Sequence, residues 1–467
     1  MSSHEAGTLH AEAAGYHRPV WLREPDDVNA LLAPLWPSTV HRTSDGVLKF
    51  GGVDIRVLAA EHGTPAYLFD EDDFRSRCRT FRDAFNGVDV YYAAKAFCAK
   101  AVVRVIAHEG LSLDVCSGGE LAVALAAGMP PERIALHGNN KSVTELERAL
   151  DAGIGRIVVD SFEEIDRLSA LARDRGVRPR LMLRVTVGVE AHTHEYISTA
   201  HEDQKFGFSL VGGAAAEAVR RILAEDLLEL RGLHSHIGSQ IFDTSGFEVS
   251  TRRLLGFHVR IREDYGVELP ELNLGGGYGI AYTSQDNPMS PEALAAELVQ
   301  IVEHECAGYR IDVPRLSIEP GRALIGPAMC TVYEVGTVKP VILDGVGGRR
   351  VYVSVDGGMS DNIRPALYAA AYSATLASRR STAPAVLARV VGKHCESGDV
   401  LVRDEFLPGD IAPGDLLAVP GTGAYCRSMS SNYNHIPRPP VIAVRDGYSR
   451  VMVRRETEED LLLLDVG

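Results

Sequence analysis

A lysine closes an apolar stretch in the first quarter of the chain, "VDVYYAAKAFCAK" at residues 88–100. The residues before Lys95 are typical of a buried strand, and its neighbours are Ala, Phe and Cys. A charged amine in such surroundings carries a desolvation cost unless its charge is paired or lost. Lys95 is therefore either a strand-end residue paired with Asp114, or a neutral amine that can attack an aldehyde.

Other ionisable residues and glycines stand at the ends of further strand-like segments. They are Asp114, Arg184, "HGNNK" (137–141), "HSHIGSQ" (234–240), "GGGYG" (275–279) and "EPGR" (319–322). A loop such as "GGGYG" lets backbone N–H groups approach a phosphate closely, although a tight turn explains the same glycines. A phosphate-bearing aldehyde held by Lys95 unites these features, and pyridoxal 5'-phosphate is such a cofactor.

The "HSH" sequence also permits a metal hypothesis. His234 and His236 are two residues apart, so they share one face of a strand, as metal ligands often do. A zinc or iron site needs further histidines or carboxylates. His192, His194 and His201 could supply them, although a polar loop is the more ordinary interpretation of that segment.

The elements that must position these residues alternate regularly after residue 70. Short β-branched segments are followed by longer segments of helical period. The eight predicted strands are "VDVYYAA", "LSLDVCS", "RIALHG", "GRIVVDS", "RLMLRVTV", "LRGLHSHIG", "ELNLGG" and "RLSIEP". Eight such units over about 250 residues predict a (β/α)8 TIM-type barrel, with the chemistry at the carboxyl ends of the strands. A doubly wound open sheet is the alternative, but it usually has fewer units.

After Arg322 the pattern changes to strands with little helix between them, which predicts an antiparallel β domain. The extended segments "GVLKFGG" (46–52) and "PAYLFD" (65–70) are candidates for further strands of that domain. The predicted organisation is a mobile N-terminal arm (1–27), a segment joining the β domain (28–70), the barrel (71–327) and the β domain (328–467).

Composition excludes several classes of protein. The chain has 467 residues and a formal net charge of −15, which disfavours a nucleic-acid partner. We find no apolar run approaching the roughly 18 residues of a membrane span, and no basic and apolar start like that of a signal peptide. Seven cysteines without a CxxC pair favour a reducing, cytoplasmic setting.

Ten segments in order resemble the diaminopimelate decarboxylases, in particular their actinobacterial form. Besides the segments above they include "YYAAKA", "LDVCSGGE", "VEAHTHEYISTAHEDQKFG", "VDGGMSDNIRPALY", "GKHCESGD" and "GTGAYC". The resemblance runs from about residue 60 to the C-terminus. It implies a fold-type III pyridoxal-phosphate enzyme, with a barrel and a β domain. Its members are usually homodimers that convert meso-2,6-diaminopimelate to L-lysine and CO2, the last step of lysine biosynthesis.

The resemblance also implies roles for individual residues in cofactor binding. Lys95 matches the lysine that forms an imine with the cofactor, His236 the imidazole stacked on its ring, and Glu319 the carboxylate facing the pyridine nitrogen. The other cofactor-binding positions implied are Asp114, Ser239, Gly277, Pro320, Gly321, Arg322 and Tyr425. An arginine occupies the place of Glu319 in racemases of this fold, so Glu319 favours decarboxylation.

Catalytic and substrate-binding positions complete the resemblance. Cys395 is similar to the cysteine that returns a proton, on a "HCESGD" loop that enters the neighbouring subunit's site. The implied substrate-binding residues are Arg322, Arg364, Tyr368, Glu396 and Tyr425. Cations together with a carboxylate suit a second amino-acid end, which diaminopimelate has. The alternatives are a decarboxylase of another basic amino acid, a metal-dependent barrel hydrolase and a non-catalytic pyridoxal-phosphate protein.

Overall fold

The computed structural model describes residues 18–189, 205–343 and 348–467, which form two compact units. The β unit comprises the described residues up to Phe74 together with Ile280–Asn287 and Ile325–Gly467. The barrel unit comprises Arg75–Gly279 and Pro288–Leu324. The predicted barrel segment ran without a break from 71 to 327, whereas residues 280–287 lie in the β unit.

Parallel pairing closes the sheet of the barrel unit into a barrel, with eight strands in the described residues. The predicted (β/α)8 architecture is confirmed, because each predicted strand segment forms one of these strands. In chain order and around the barrel they are Asp89–Ala93, Ser112–Val115, Ile134–Leu136, Arg156–Val159, Arg180–Thr186, Glu229–His234, Glu271–Asn273 and Arg315–Ile318. A short strand, Phe208–Ser209, pairs with Arg180–Thr186.

Helices follow the barrel strands, and one helix, Glu71–Ala84, precedes the first strand. The following helices are Lys100–His108, Gly118–Ala127, Val143–Ala152, Phe162–Arg175, Ala214–Leu223, Ser245–Tyr265, Pro291–Tyr309 and Arg322–Ile325. Local sequence sets their limits. Val143–Ala152 begins with a capping box between Ser142 and Glu145 and ends at Gly153 in the left-handed conformation.

The β unit is built on one large sheet. In spatial order its main strands are Val400–Pro408, Ala385–Val391, Gly348–Val355, Met329–Leu343, Ala66–Asp70, Val441–Arg445 and Tyr448–Val453. Leu416–Pro420 pairs with both Met329–Leu343 and Thr375–Leu376. Pairing is largely antiparallel, as predicted, with parallel contacts between Gly348–Val355 and Ala385–Val391 and between Ala66–Asp70 and Val441–Arg445.

The two N-terminal segments join different sheets of the β unit. "PAYLFD" forms the inner strand Ala66–Asp70 of the large sheet, whereas "GVLKFGG" forms the middle strand of a small sheet. The strands of the small sheet are His41–Arg42, Leu48–Phe50 and Val53–Asp54. The α-helices here are Ile55–His62, Arg364–Tyr368 and Glu458–Leu462. Of the predicted arm, residues 1–17 lie outside the described residues, and Leu22 is buried.

None of the described helices is both long enough and apolar enough to cross a membrane.

Candidate active site

Lys95 stands on a tight turn directly after the first barrel strand. The turn is the 3₁₀ segment Ala94–Ala96, and the Tyr92 hydroxyl donates a 2.8 Å hydrogen bond to the Phe97 carbonyl across it. Ala94 and Ala96 are buried, but the Lys95 side chain is exposed. The apolar neighbours are therefore buried as expected, whereas Lys95 itself is not desolvated in the described structure.

Glu319, at the end of the eighth strand, is a buried carboxylate surrounded by donors. Asn273 Nδ2 donates to its Oε1 at 2.8 Å, and His137 Nε2 lies 3.2 Å from the same oxygen. His234 Nε2 lies 3.2 Å from Oε2. Burial alone would raise the pKa of Glu319, but the two imidazoles outweigh it and hold the pKa well below its usual range. Glu319 is thus a preformed anion.

The two histidines beside Glu319 differ in their surroundings. His137 Nε2 also lies 3.7 Å from the buried Asp114 carboxylate. Burial opposes the charged form of His137, but Asp114 and Glu319 outweigh it and raise the pKa of His137. Burial lowers the pKa of His234 to about 4, despite its contact with Glu319. The pKa of Asp114 is raised by burial, against the opposing charges of His137 and Lys95.

His236, on the same strand as His234, has a different partner. The Gly276 N–H donates to His236 Nδ1 at 3.2 Å, so the ring proton lies on Nε2 and the imidazole is neutral. Burial, together with the charges of Lys95 and Arg184, lowers the pKa of His236 well below its ordinary value. The proposed metal partners His192, His194 and His201 lie outside the described residues.

Glycines bring the loops at this end of the barrel into backbone contact. A Cβ on Gly277, whose φ is +108°, would lie 2.4 Å from the Gly238 carbonyl oxygen. A Cβ on Gly276 would lie 2.1 Å from the carbonyl oxygen of Glu319. Side chains are therefore excluded here, and backbone N–H groups can approach a ligand closely.

The loop after the eighth strand packs on the end of the first. The Ala93 N–H donates to the Pro320 carbonyl at 3.3 Å, and a Cβ on Gly321 would meet Ala93 at 2.9 Å. Arg322 Nη2 donates to Ser239 Oγ at 2.9 Å. The structure thus joins Arg322 to Ser239, two of the residues to which the resemblance assigns phosphate binding.

Arg364 lies in the β unit and is only 3% exposed. Its Nη1 donates to Tyr282 Oη at 2.6 Å and to Tyr372 Oη at 3.2 Å. The guanidinium carbon also lies 5.9 Å from the ring centroid of Tyr425. Within the described residues, no carboxylate oxygen lies within 4.0 Å of the Arg364 nitrogens. The buried cation is held by neutral phenols.

The phenols on Arg364 were not found from the sequence. Tyr368 ends the same short helix and is half-buried, but in the described structure the guanidinium is bonded to Tyr282 and Tyr372 instead. His137 was singled out only as part of "HGNNK", and neither it nor Asn273 was assigned a role in the site. Of these four, His137 had a usable signal, because it lies at the end of the predicted barrel strand "RIALHG".

The "HCESGD" loop is firmly anchored in the β unit, yet it points Cys395 and Glu396 outward. The Asp399 carboxylate accepts the N–H groups of Met359 at 2.6 Å and His394 at 2.8 Å. His394 Nε2 lies 2.8 Å from Ser360 Oγ. Cys395 and Glu396 are both exposed. The loop is therefore tied to the segment that precedes Arg364.

Comparisons with known proteins agree with this geometry. Residues 71–326 match the family model described as pyridoxal-dependent decarboxylase, pyridoxal binding domain. The chain is 53% identical over 472 residues to diaminopimelate decarboxylase of Mycobacterium leprae, with 100% of both chains covered. It is 56% identical to that of Mycobacterium tuberculosis, covering 93% of this chain and 98% of the relative.

A solved structure of a protein with the same name is also similar to this chain. Diaminopimelate decarboxylase from M. jannaschii, in co-complex with L-lysine, is 31% identical with a TM-score of 0.85, covering 92% of this chain and 98% of that one. The chain belongs to the diaminopimelate decarboxylase family of pyridoxal-dependent decarboxylases.

Proposed function

We propose that this protein decarboxylates meso-2,6-diaminopimelate to L-lysine and CO2, the last step of lysine biosynthesis, with pyridoxal 5'-phosphate as cofactor. The observation that carries the choice of substrate is Arg364, a buried guanidinium with phenols and no carboxylate around it in the described residues. Burying a cation without an anion is costly. A substrate carboxylate remote from the reacting carbon would offset that cost, and a simple diamino acid such as lysine lacks one.

The residues of the barrel unit fit the cofactor. When bound, pyridoxal phosphate supplies an aldehyde that takes up an amine and a ring that accepts the electron pair left by departing CO2. Lys95 offers an accessible amine to hold it, and His236 offers a flat neutral ring. Glu319 is ionised and can bind a protonated ring nitrogen by a charge-assisted hydrogen bond.

We assign phosphate binding mainly to the glycine-rich loops. The proposed phosphate-holding residues are Ser239, Gly277, Gly321, Arg322 and Tyr425, with Asp114 and Pro320 also in the cofactor site. The close backbone approach at Gly277 supports this assignment, because a phosphate is bound well by convergent N–H groups.

Most of the proposed substrate-binding residues, and the proposed proton donor, belong to the β unit. Arg364 binds the distal carboxylate and Glu396 the distal ammonium, while Tyr368, Tyr425 and Arg322 complete the substrate site. Cys395 returns a proton to Cα after CO2 has left. Such a proton donor works best where water is excluded, whereas Cys395 is exposed in the single chain.

This exposure supports a homodimer with shared sites, in which each site receives the partner subunit's Cys395 and the partner subunit's Glu396. Equal amounts of Lys95→Ala and Cys395→Ala proteins, each nearly inactive, should on subunit exchange regain roughly a quarter of wild-type activity. Exchange confirmed by mass spectrometry without any recovered activity would mean that both residues act within one chain. We also propose that the enzyme is cytoplasmic, because seven cysteines without a CxxC pair favour a reducing setting.

The decisive experiment measures CO2 release from meso-diaminopimelate, with and without added pyridoxal phosphate. We expect cofactor-dependent release from diaminopimelate and little from L-lysine or L-ornithine at equal concentration. Preferred release from lysine or ornithine would instead identify a decarboxylase of another basic amino acid. Bound cofactor without release from any of the three would support a non-catalytic pyridoxal-phosphate protein.

A further inference from the structure

A buried imidazole lies between two buried carboxylates in the barrel unit. His137 Nε2 is 3.2 Å from Glu319 and 3.7 Å from Asp114. His137 and Glu319 are each 5% exposed, and Asp114 is 1% exposed. Two carboxylates this close repel each other in a medium of low dielectric constant. A single positive charge between them removes most of that cost, and His137 is placed to provide it.

Charged and titratable groups near five of the barrel strands bear on the charge of His137. They are Asp114 on the second strand, Arg184 on the fifth, His234 at the end of the sixth and Glu319 after the eighth, with Lys95 after the first acting on Asp114. Arg184 opposes a charge on His137, but Asp160 lies 3.8 Å from the guanidinium and partly balances it. The two carboxylates are therefore the dominant neighbours.

We propose that His137 is the counter-charge of Glu319 and Asp114: it carries a proton in the cofactor-free chain and gives it up when the cofactor's ring nitrogen binds Glu319. This inference rests on the proposed function, because it requires pyridoxal phosphate to bind at Glu319. The arriving protonated nitrogen and the imidazolium would both lie against Glu319, the nearer of the two carboxylates to His137. Once the nitrogen neutralises Glu319, the imidazolium keeps only the more distant Asp114 and is repelled by the new cation, so it loses its proton. The N–H bond of the imidazolium breaks, and the proton passes to solvent or to an unprotonated ring nitrogen.

His234 supplies the matched control. It lies at the same 3.2 Å from the same carboxylate, but among the described residues it faces no second carboxylate as His137 does. The pKa directions agree with this difference, since that of His137 is raised and that of His234 is lowered to about 4. Of the two histidines, His137 is the one whose charge should change when the cofactor binds.

The experiment counts protons released on binding of pyridoxal phosphate to the cofactor-free full-length protein. Calorimetric titration at pH 6.5, the ordinary pKa of a histidine, in buffers of different ionisation enthalpy gives the count. Wild type and His234→Gln should release at least about half a proton more per bound cofactor than His137→Gln. Contributions from Lys95 and from the cofactor itself are common to the three proteins and cancel in the difference.

The release of a proton on binding also determines how cofactor affinity changes with pH. Binding that releases a proton becomes tighter as pH rises, so cofactor affinity should increase through the His137 pKa in wild type and in His234→Gln. That increase should be smaller in His137→Gln. Equal proton counts in wild type and His137→Gln, or a loss of the difference in His234→Gln, would overturn the inference.

Two readouts separate this inference from the proposed function and from misfolding. Wild-type protein that fails to bind pyridoxal phosphate by absorbance would overturn the proposed function itself. If His137→Gln does not fold, nitrogen-15 histidine spectra of the wild-type protein provide the test. We expect one buried imidazole that titrates above pH 6.5 without cofactor and is neutral with it, and spectra without such a residue would refute the role of His137.

Discussion

Buried charge is compensated in opposite ways in the two units. In the barrel unit, the Glu319 carboxylate is surrounded by His137, His234 and Asn273, so its charge is balanced within the chain. In the β unit, the Arg364 guanidinium is equally buried, but phenols are its partners. A balanced charge is fixed before a ligand arrives and suits a cofactor that stays. An unbalanced charge gains most when an anion binds and suits a substrate that comes and goes.

A second buried arginine sharpens the contrast within the β unit. Arg350 is 2% exposed, and its Nη2 lies 2.8 Å from Asp404 Oδ1. Arg350 therefore has the carboxylate that Arg364 lacks in the described structure. If the comparison is correct, Arg350 should contribute to the stability of the fold, and Arg364 should contribute to substrate binding.

Removal of Lys95 should have the largest effect. Lys95→Ala is expected to lower kcat on the order of a thousandfold or more, as when other catalytic nucleophiles are lost. Because Glu319 and His236 remain, the variant should still bind pyridoxal phosphate non-covalently. Borohydride reduction with peptide mass mapping should place a cofactor adduct on Lys95 in wild type. The exposed Lys100, five residues on, is the control, and Lys100→Ala should keep both the adduct and the activity.

The substitution Arg364→Met should have the second-largest effect on activity. Removing one partner of a desolvated charge pair costs about 2–5 kcal/mol, which is roughly 30- to 5,000-fold in kcat/KM. The loss should appear with diaminopimelate while cofactor content, measured by absorbance, stays full. Stability should stay within about 1 kcal/mol of wild type, because the lost phenol contacts are offset by removal of an uncompensated charge.

Arg350→Met, equally buried, should behave in the opposite way. It removes the nearer arginine from the buried Asp404 carboxylate, whose Oδ1 then keeps Arg389 Nη2 at 3.9 Å. The variant should lower the free energy of unfolding by about 3 kcal/mol, with kcat/KM of the folded fraction near wild type. Denaturant unfolding gives the stability of both variants, and steady-state kinetics gives their kcat/KM, so the two measurements together test the contrast between Arg350 and Arg364. A loss of activity under about fivefold for Arg364→Met would be that of a surface pair, and it would remove Arg364 from the substrate site.

Much of the fold follows from the sequence because barrel strands are short β-branched segments between regular helices. Each predicted barrel strand is present, and the glycine that ends Val143–Ala152 is visible as a C-cap. The β unit is less predictable, because strand pairing there joins distant segments. Leu48–Phe50 and Ala66–Asp70 look alike in sequence, yet long-range pairing places them in different sheets.

The sequence predicts the site residues whose side-chain type indicates a particular chemistry. It does not predict the residues whose role depends only on where the fold places them. Glu319 and His236 are ionisable residues at strand ends, each two residues before a glycine, and that combination is visible in the sequence. Asn273 has the same spacing from Gly275, but an amide does not by itself indicate a particular chemistry. Tyr372 has neither an ionisable group of that kind nor a place at a barrel strand. The exposure of Lys95 was also unpredictable, because the apolar neighbours are buried while the side chain itself points away from them.

The smallest expected effect tests how Arg364 is held. Tyr372 accepts a hydrogen bond from Arg364 at 3.2 Å, longer than the 2.6 Å bond to Tyr282, so Tyr372→Phe removes the weaker restraint. A typical hydrogen bond contributes about 0.5–1.5 kcal/mol, which predicts a roughly 2- to 13-fold loss in kcat/KM for diaminopimelate. The loss should fall mainly on KM, since the hydroxyl orients a binding group and does not contact the reacting carbon. Tyr352, whose hydroxyl accepts from Arg389 at 3.5 Å, is the matched control, and Tyr352→Phe should be kinetically silent. Equal kinetics for Tyr372→Phe and Tyr352→Phe would show that ring packing and Tyr282 suffice to orient the guanidinium.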